Sequence, residues 1–107
     1  MSFRVQIASN AKRDVYEIAQ YIRSQDSTEA ADHVVNKIQE TAQSLSEHPK
    51  RGAIPDSLQA LGEYRFRMIH FKPYQIYYTV EADRVIVRLV VDGRRDLNEI
   101  LEKRLLK

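Results

Sequence analysis

From residue 15 onward the apolar residues of this chain change their spacing once, from that of a helix to that of a strand. Between residues 15 and 45 they recur every three or four positions, which places them on one face of a helix. From residue 64 to residue 91 they recur at every second position, which places them on one face of a strand. A chain with helices first and a strand meander afterwards is predicted to be of the α+β class.

The first half is predicted to hold a short strand and a helical hairpin. Phe3, Val5 and Ile7 alternate with polar residues, as in a half-buried strand that joins the sheet as an edge. Ser9 is expected to cap a first helix over residues 10–24. Its apolar stripe, which repeats at helical spacing, consists of Val15, Ile18, Ala19 and Ile22.

A second helix is expected to follow after very few residues. Asp26 or Ser27 is positioned to cap it, and it should end near Glu47, because Pro49 cannot continue a helix. So short a connection makes two helices pack antiparallel. The apolar stripe of this second helix consists of Ala31, Val34, Val35, Ile38, Ala42 and Leu45.

The second half is predicted to form an antiparallel meander. Residues 48–62 contain both Pro and Gly and indicate an irregular connection with room for one helical turn. Short turns at 72–73 and 81–83 join three strands into hairpins. A short terminal helix should follow Gly93. The core-facing alternates of the three strands are Tyr64, Phe66, Met68; Tyr74, Ile76, Tyr78, Val80; and Val85, Val87, Leu89, Val91.

Size and composition favour one domain over residues 1–107 that works in a reducing compartment. The 107 residues are 43% hydrophobic and 30% charged, the balance of a globular protein. Cysteine is absent, which excludes disulfides and thiolate metal sites and fits a cytoplasmic location. No segment resembles a signal peptide or a membrane span, and no ligand spacing suggests a metal or another cofactor.

Positive charge concentrates in the second half of the chain. Residues 1–48 carry 5 Lys and Arg against 7 Asp and Glu, whereas residues 49–107 carry 12 against 8. Strand parity places several polar side chains on the outward face of the sheet, with Arg94 and Arg95 leaving the sheet nearby. That face offers either a phosphate-binding surface or, more simply, a solvated one. Its members are Arg65, Arg67, Gln75, Tyr77, Thr79 and Arg88.

No catalytic residue is predicted. A ribonuclease needs a group that deprotonates the attacking hydroxyl, and the three histidines are poorly placed for that role. Parity puts His70 on the core side of its strand, where it is expected to pack at the strand end. His33 lies off the apolar stripe of its helix, and His48 follows the end of that helix. Phosphate-binding glycine loops and nucleophile elbows are absent from the sequence.

Three segments together resemble the RelE/ParE toxin superfamily over nearly the whole chain. They are Tyr64-Arg65-Phe66, the strand Tyr74–Tyr78 and the closing run Val90-Val91-Asp92-Gly93-Arg94-Arg95-Asp96-Leu97. The resemblance implies an N-terminal strand and helical hairpin packed on a small antiparallel sheet. It also implies a toxin that arrests growth within a type II toxin–antitoxin module.

The sequence resembles the ParE branch more closely than the RelE branch. RelE-type toxins cleave messenger RNA on the ribosome, and Arg65, Arg67 and Arg94 or Arg95 stand at positions that match their basic residues. Gln75 replaces a second-strand arginine, however, and Leu101 replaces a tyrosine. Glutamine carries no charge to stabilise a phosphorane, and leucine exchanges no proton.

The resemblance to ParE implies a non-enzymatic toxin that inhibits DNA gyrase and is neutralised by a ParD-like antitoxin in a hetero-oligomer. Nucleic acid would then be reached only indirectly, and no membrane would be involved. Arg65, Arg67, Arg94 and Arg95 are the candidate target-contacting residues. A divergent RelE-like ribonuclease and a non-toxic homologue that only binds antitoxin are the alternatives.

Overall fold

The computed structural model describes residues 2–106, which form a four-stranded sheet with helices on both faces. The order of elements is that of an α+β fold with a short terminal helix, as the sequence predicts. In chain order they are β1 (Arg4–Ile7), α1 (Ser9–Gln25), α2 (Thr28–Gln43), a 3-10 turn (Ser44–Ser46), α3 (Asp56–Gln59), β2 (Arg67–Phe71), β3 (Tyr74–Glu81), β4 (Arg84–Asp92) and α4 (Leu97–Leu105).

The sheet is mixed, with the strand order β1-β4-β3-β2. The strands β2, β3 and β4 form the predicted antiparallel meander. The strand β1 lies at the edge, as predicted, but runs parallel to β4 from Arg4 opposite Arg84 to Ile7 opposite Val87. Because the chain leaves the sheet at Ala8 to begin α1, the last five residues of β4, from Arg88 to Asp92, have no strand on that side.

The helical hairpin agrees with its predicted bounds, and the structure settles how each helix begins. The helix α1 starts at Ser9 itself, so the prediction that Ser9 caps it is wrong. Ala8 precedes the helix in an extended conformation and offers no capping side chain. The Ser27 hydroxyl accepts a hydrogen bond of 3.0 Å from the amide of Ala30, so Ser27 rather than Asp26 caps α2.

The strand β2 lies three residues later than the predicted strand over 64–68. A two-residue turn at Lys72-Pro73 sets the register, because it places Phe71 opposite Tyr74 and Ile69 opposite Ile76. Ile69 is consequently buried, while the side chain of Tyr64 is 60% exposed. This register also places His70 opposite Gln75 with an exposed side chain, so the prediction that His70 packs near the core is wrong.

A bulge at Arg88 reverses the predicted parity of the part of β4 that follows it. Tyr78 pairs with Val87 and Tyr77 pairs with Leu89, which leaves Arg88 as an extra residue in β4. Val85 and Val87 face the helical hairpin as predicted. The extra residue turns Leu89 and Val91 to the opposite face, where the prediction did not place them.

The sheet therefore has a core on each face. The hairpin covers the first core, whose largest sheet residues are Tyr74, Ile76 and Tyr78. The helix α4 covers the second core with Leu101 and Leu105. Tyr77 and Thr79, predicted to face outward, are only 2% and 7% exposed. The other buried residues of the second core are Leu58, Phe66, Tyr77, Leu89 and Val91.

One ion pair joins α1, β4 and α4. The Arg104 guanidinium donates to both carboxylate oxygens of Asp14, at 2.8 and 2.9 Å. The same carboxylate accepts the amide of Val90 at 3.0 Å, and Arg104 donates to the carbonyl of Arg88 at 3.2 Å. Hydrogen bonding to Asp14 raises the pKa of Arg104. These contacts satisfy backbone groups of β4 just beyond the end of β1.

Replacing Asp14 by Ala should destabilise the fold by about 2–3 kcal/mol, because it leaves a half-buried guanidinium and a strand amide without their partner. Lys103→Ala is the matched control, since its ion pair with Glu99 is exposed on both sides and contributes about 0.5 kcal/mol or less. Urea unfolding of both variants measures the difference. Equal losses in the two variants would contradict this role of Asp14.

Leu101→Ala should cost about 2–4 kcal/mol of unfolding free energy, because it opens a cavity between α4 and the sheet. Leu61→Ala serves as the control, since that side chain is 68% exposed. Thermal unfolding followed by circular dichroism compares the two variants. A Leu101 variant as stable as the Leu61 variant would show that α4 is not part of the folded core.

Candidate functional site

The four predicted target-contacting arginines do not converge on one site. Arg67 lies opposite Tyr78, whereas Arg94 comes two residues after Asp92, which lies opposite Tyr74. Four strand residues separate these positions along β3, a distance of about 13 Å. The prediction that Arg94 and Arg95 leave the sheet near Arg65 and Arg67 is therefore wrong, and two surfaces result.

The first surface is a groove of about 590 Å³ between α1 and the free edge of β4, termed the α1–β4 groove. Arg94 and Arg95 line it beside the turn that follows β4, and the acidic residues Asp14, Glu17 and Asp26 line it along α1. Tyr21 is 69% exposed at its rim. The apolar lining residues are Ile18, Tyr21, Ile22, Tyr74, Val90 and Val91.

The floor of the α1–β4 groove is an unpaired strand edge. The amide of Val90 donates to the Asp14 carboxylate and therefore points away from β3. The carbonyl of a strand residue points to the same side as its amide, so the Val90 carbonyl also faces the groove. An apolar groove with a free strand edge suits the docking of a protein segment.

The two arginines of the groove differ in how they are held. Arg94 donates two hydrogen bonds to the Asp92 carboxylate, from Nη2 to Oδ2 at 2.6 Å and from Nε to Oδ1 at 3.0 Å. Hydrogen bonding to Arg94 lowers the pKa of Asp92, and hydrogen bonding to that carboxylate raises the pKa of Arg94. The Arg94 side chain is nevertheless 73% exposed. Over residues 2–106, Arg95 has no hydrogen bond or ion pair from its side chain, so it is free for a partner.

Gly93 and Gln75 together build the turn that presents these arginines. The Gly93 amide donates to the Pro73 carbonyl at 2.8 Å, and a Cβ at Gly93 would lie 2.9 Å from Nε2 of Gln75. The Tyr77 hydroxyl donates to Oε1 of Gln75 at 2.6 Å and fixes that amide. Gln75 therefore packs against the turn at Gly93, at a position where RelE-type toxins carry an arginine.

The second surface is a hollow of about 750 Å³ on the α4 face of the sheet, termed the basic depression. Arg65 donates hydrogen bonds to both carboxylate oxygens of Glu63, at 2.9 Å from Nε and 2.8 Å from Nη2. This hydrogen bonding lowers the pKa of Glu63 to about 2. Arg67 donates to the Gly52 carbonyl at 2.7 Å. Because Arg67 lies opposite Tyr78, its guanidinium is on the hairpin face of the sheet, so the prediction that it shares a face with Tyr77 and Thr79 is wrong. The cations that line the depression are Lys50, Arg65, Arg67, Arg88 and Arg104.

The connection over residues 48–62 is anchored to the sheet beside the basic depression. The amide of Gly52 donates to the Tyr78 hydroxyl at 3.0 Å, and a Cβ at Gly52 would lie only 2.7 Å from that oxygen. Only glycine permits this approach. Burial raises the pKa of Tyr78, so its hydroxyl remains protonated at neutral pH. The anchor holds Lys50 and Arg67 next to each other, because Arg67 also donates to the Lys50 carbonyl at 3.3 Å.

The histidines and Leu101, the residues compared with ribonuclease groups, line neither surface over the described residues. None of the three histidines lines the groove or the depression over the described residues. Leu101, at the position where RelE-type toxins carry a tyrosine, is buried in the second core. Within residues 2–106, three acidic or histidine side chains nowhere come together to hold a metal ion, and no helix is long and apolar enough to cross a membrane.

The groove was not predicted from the sequence, nor were two cations of the depression, Lys50 and Arg104. The groove follows from the place where β1 ends and β4 continues, which no local pattern reveals. Lys50 lies in an irregular segment, and its neighbourhood depends on the Gly52 anchor. The sequence did indicate the second core, because the unbroken apolar run Leu89-Val90-Val91 is typical of a strand buried on both faces.

Comparison with known proteins identifies the family. A family profile described as "ParE toxin of type II toxin-antitoxin system, parDE" matches residues 5–97. A solved structure described as "Chromosomal ParDE TA system from P. aeruginosa" has the same fold, with a TM-score of 0.70 and 16% sequence identity over 85% of this chain and 96% of that chain. No curated protein sequence gives a significant match. The chain therefore belongs to the ParE toxin family of type II toxin–antitoxin systems.

Proposed function

We propose that this ParE-family toxin acts in the cytoplasm by binding and inhibiting DNA gyrase, without catalysis of its own, and is held inactive by a ParD-like antitoxin. Family membership over residues 5–97 is the observation that carries the proposal. The solved structure named above is described as a ParDE system, which supports an antitoxin of the ParD type. The two surfaces supply places for such contacts.

The α1–β4 groove is the surface that we propose for the antitoxin. It offers an antitoxin segment an apolar wall, from Ile18 and Ile22, and a strand edge that has no neighbouring strand beyond the Val90 amide, which Asp14 already holds. A segment with apolar side chains and an acidic residue at one end would match both the wall and the free Arg95. Burying such a groove in a complex would also cover Arg94 and Arg95, so antitoxin and target would compete for them.

The separation of the arginines counts against the ribonuclease alternative. Stabilising one cleaving phosphate requires cations that meet at one point. Arg67 and Arg94 are attached to positions about 13 Å apart along β3, and Gln75, which is uncharged, packs against the Gly93 turn. The third alternative, a homologue that binds antitoxin without being toxic, is distinguished by the target assay below.

The purified toxin should inhibit supercoiling by gyrase, and Arg94→Ala/Arg95→Ala should raise the concentration needed for half-inhibition by roughly tenfold. An arginine at the centre of an interface commonly contributes this much binding energy. Titration of toxin into a plasmid supercoiling assay measures the change. A second double variant, Arg65→Ala/Arg67→Ala, tests the other end of the sheet separately.

Arg23→Ala/Lys37→Ala is the matched control for these variants, because it removes the same charge from the exposed helical hairpin. Its half-inhibition concentration should stay within about twofold of the original value. Gyrase left active by a large excess of folded toxin would overturn the proposed target. Intact inhibition by both arginine double variants would remove these four residues from the contact.

Antitoxin binding should weaken more than about tenfold in Tyr21→Glu, because the new charge enters an apolar groove. Tyr16→Glu is the control on the same helix, since Tyr16 is similarly exposed, at 63%, and does not line the groove. Isothermal titration with the cognate antitoxin compares the two. Equal weakening, or none in either variant, would place the antitoxin on another surface.

A further inference from the structure

The open edge of β4 has already given several of its hydrogen-bonding groups to other parts of the chain. Val90 and Asp92 point away from β3, whereas Gly93 points toward it. The Val90 amide is held by Asp14, and the Asp92 carbonyl accepts the amide of Arg95 at 3.1 Å in the turn after the strand. Within residues 2–106, the Val90 carbonyl and the Asp92 amide are the outward groups of these two residues that stay open.

These two open groups fit a parallel neighbour and not an antiparallel one. An antiparallel partner exchanges both hydrogen bonds with a single residue, which here requires the Val90 amide or the Asp92 carbonyl. A residue of a parallel partner instead bonds the carbonyl of one residue and the amide of the residue two positions later. The Val90 carbonyl and the Asp92 amide have that spacing, so a segment added here runs in the direction of β4 and of β1.

The Asp14–Arg104 ion pair limits how far such pairing can extend. The preceding pair of groups in the same parallel pattern is the Arg88 carbonyl and the Val90 amide. Arg104 binds the first and Asp14 binds the second. A parallel segment therefore cannot pair further back along β4 toward β1, and its backbone contact is confined to the end of the strand.

Helices flank this end of β4 on both faces of the sheet. On the hairpin face, Ile18 and Ile22 form the wall of the α1–β4 groove. On the other face, Ile100 of α4 lines a hollow of about 340 Å³. Val90 and Val91 line both spaces. Because successive side chains of a strand point to opposite faces, a segment added here needs consecutive apolar residues rather than alternating ones.

Arg95 is the cation of these two spaces that is left for a partner. It lines both of them, and its side chain has no ion pair within residues 2–106. Glu17 and Asp26 line the α1 side of the groove and would repel a carboxylate placed there. The other cations that line the two spaces are each paired with a carboxylate, namely Arg94, Lys103 and Arg104.

The direction of the segment and the position of Arg95 agree. Arg95 lies in the turn that follows Asp92, the last residue of β4. A parallel segment that passes Asp92 brings its C-terminal end to this turn, whereas an antiparallel segment would bring its N-terminal end. An acidic side chain at the C-terminal end of a parallel segment therefore meets Arg95.

We propose that the antitoxin binds the end of β4 as a short extended segment parallel to that strand, with consecutive apolar residues and an Asp or Glu side chain at its C-terminal end on Arg95. This inference rests on the proposed docking of antitoxin in the α1–β4 groove and specifies the form in which it docks. One antitoxin residue donates its amide to the Val90 carbonyl and accepts the Asp92 amide. The two apolar walls hold the side chains on either side of that residue.

Hydrogen-bond scalar couplings, measured by NMR on the full chain in complex with its cognate antitoxin, test the inference. With nitrogen labelled in the toxin and carbonyl carbon labelled in the antitoxin, the Asp92 amide should couple to an antitoxin carbonyl. With the labels exchanged, the Val90 carbonyl should couple to an antitoxin amide. Both couplings should lead to the same antitoxin residue, as parallel pairing requires. Couplings to two different residues, or none at an assigned Asp92 amide, would overturn the inference.

A charge reversal tests the contact at Arg95. Arg95→Glu should weaken antitoxin binding at least about tenfold in isothermal titration, and replacing the antitoxin's acidic residue by Lys should recover most of that loss. Arg23→Glu is the matched control, since it makes the same charge change in the last turn of α1 outside both spaces, and it should alter affinity less than about twofold. An unchanged affinity in Arg95→Glu, or a loss that Lys does not recover, would overturn the contact.

Failure of this inference and failure of the proposed antitoxin site give different results. If Tyr21→Glu weakens antitoxin binding but the couplings are absent, the antitoxin occupies the groove in another form, such as a helix, and the parallel segment alone is overturned. If Tyr21→Glu leaves binding unchanged and the couplings are absent, the groove is not the antitoxin site and both are overturned. Gyrase is absent from these measurements, so its inhibition is judged separately.

Discussion

Beyond Val87 the strand β4 has no partner on one side, and a single carboxylate–guanidinium pair organises what lies there. Asp14 accepts a hydrogen bond from the amide of Val90, and Arg104 donates one to the carbonyl of Arg88. Each ion therefore also satisfies a backbone group of the open edge. The Asp14 side chain is 12% exposed and that of Arg104 is 27% exposed, which makes the pair far less screened than the other ion pairs of the surface. This contact ties the hairpin on one face of the sheet to α4 on the other.

The position of this pair also leaves the rest of the edge open. The contacts of the ion pair reach no further along β4 than Val90. The groove continues beyond Val90 to Asp92 and to the turn with Arg94 and Arg95. An exposed strand edge invites pairing with other chains, and proteins usually cover one. In a toxin whose family works with an antitoxin, an edge flanked by an apolar helix face is a reasonable place for the missing cover.

Much of the fold could be predicted from periodicity, since residues 9–25 and 28–43 repeat at helical spacing and the meander alternates. Two errors had definite causes. The predicted first meander strand followed the alternation of Tyr64, Phe66 and Met68, but the turn at Lys72-Pro73 set the register three residues later. The predicted parity of β4 ignored the bulge at Arg88, which moved Leu89 and Val91 to a second core.

The candidate site was harder to predict than the fold, because both surfaces depend on contacts between distant segments. Arg67 and Lys50 meet only after the Gly52 anchor forms, and the groove exists only because β1 is shorter than β4. The sequence did indicate the departures from a ribonuclease. The structure gives them a physical meaning, since Gln75 packs against Gly93 and Leu101 fills the second core.

We propose that this toxin stops growth through gyrase. The most direct test is to induce the toxin without antitoxin and follow the incorporation of labelled thymidine and labelled methionine in the same culture. Thymidine incorporation should fall first, because replication forks depend on gyrase, with methionine incorporation following later. A fall in methionine incorporation ahead of thymidine, or steady incorporation of both while folded toxin accumulates, would contradict the claim.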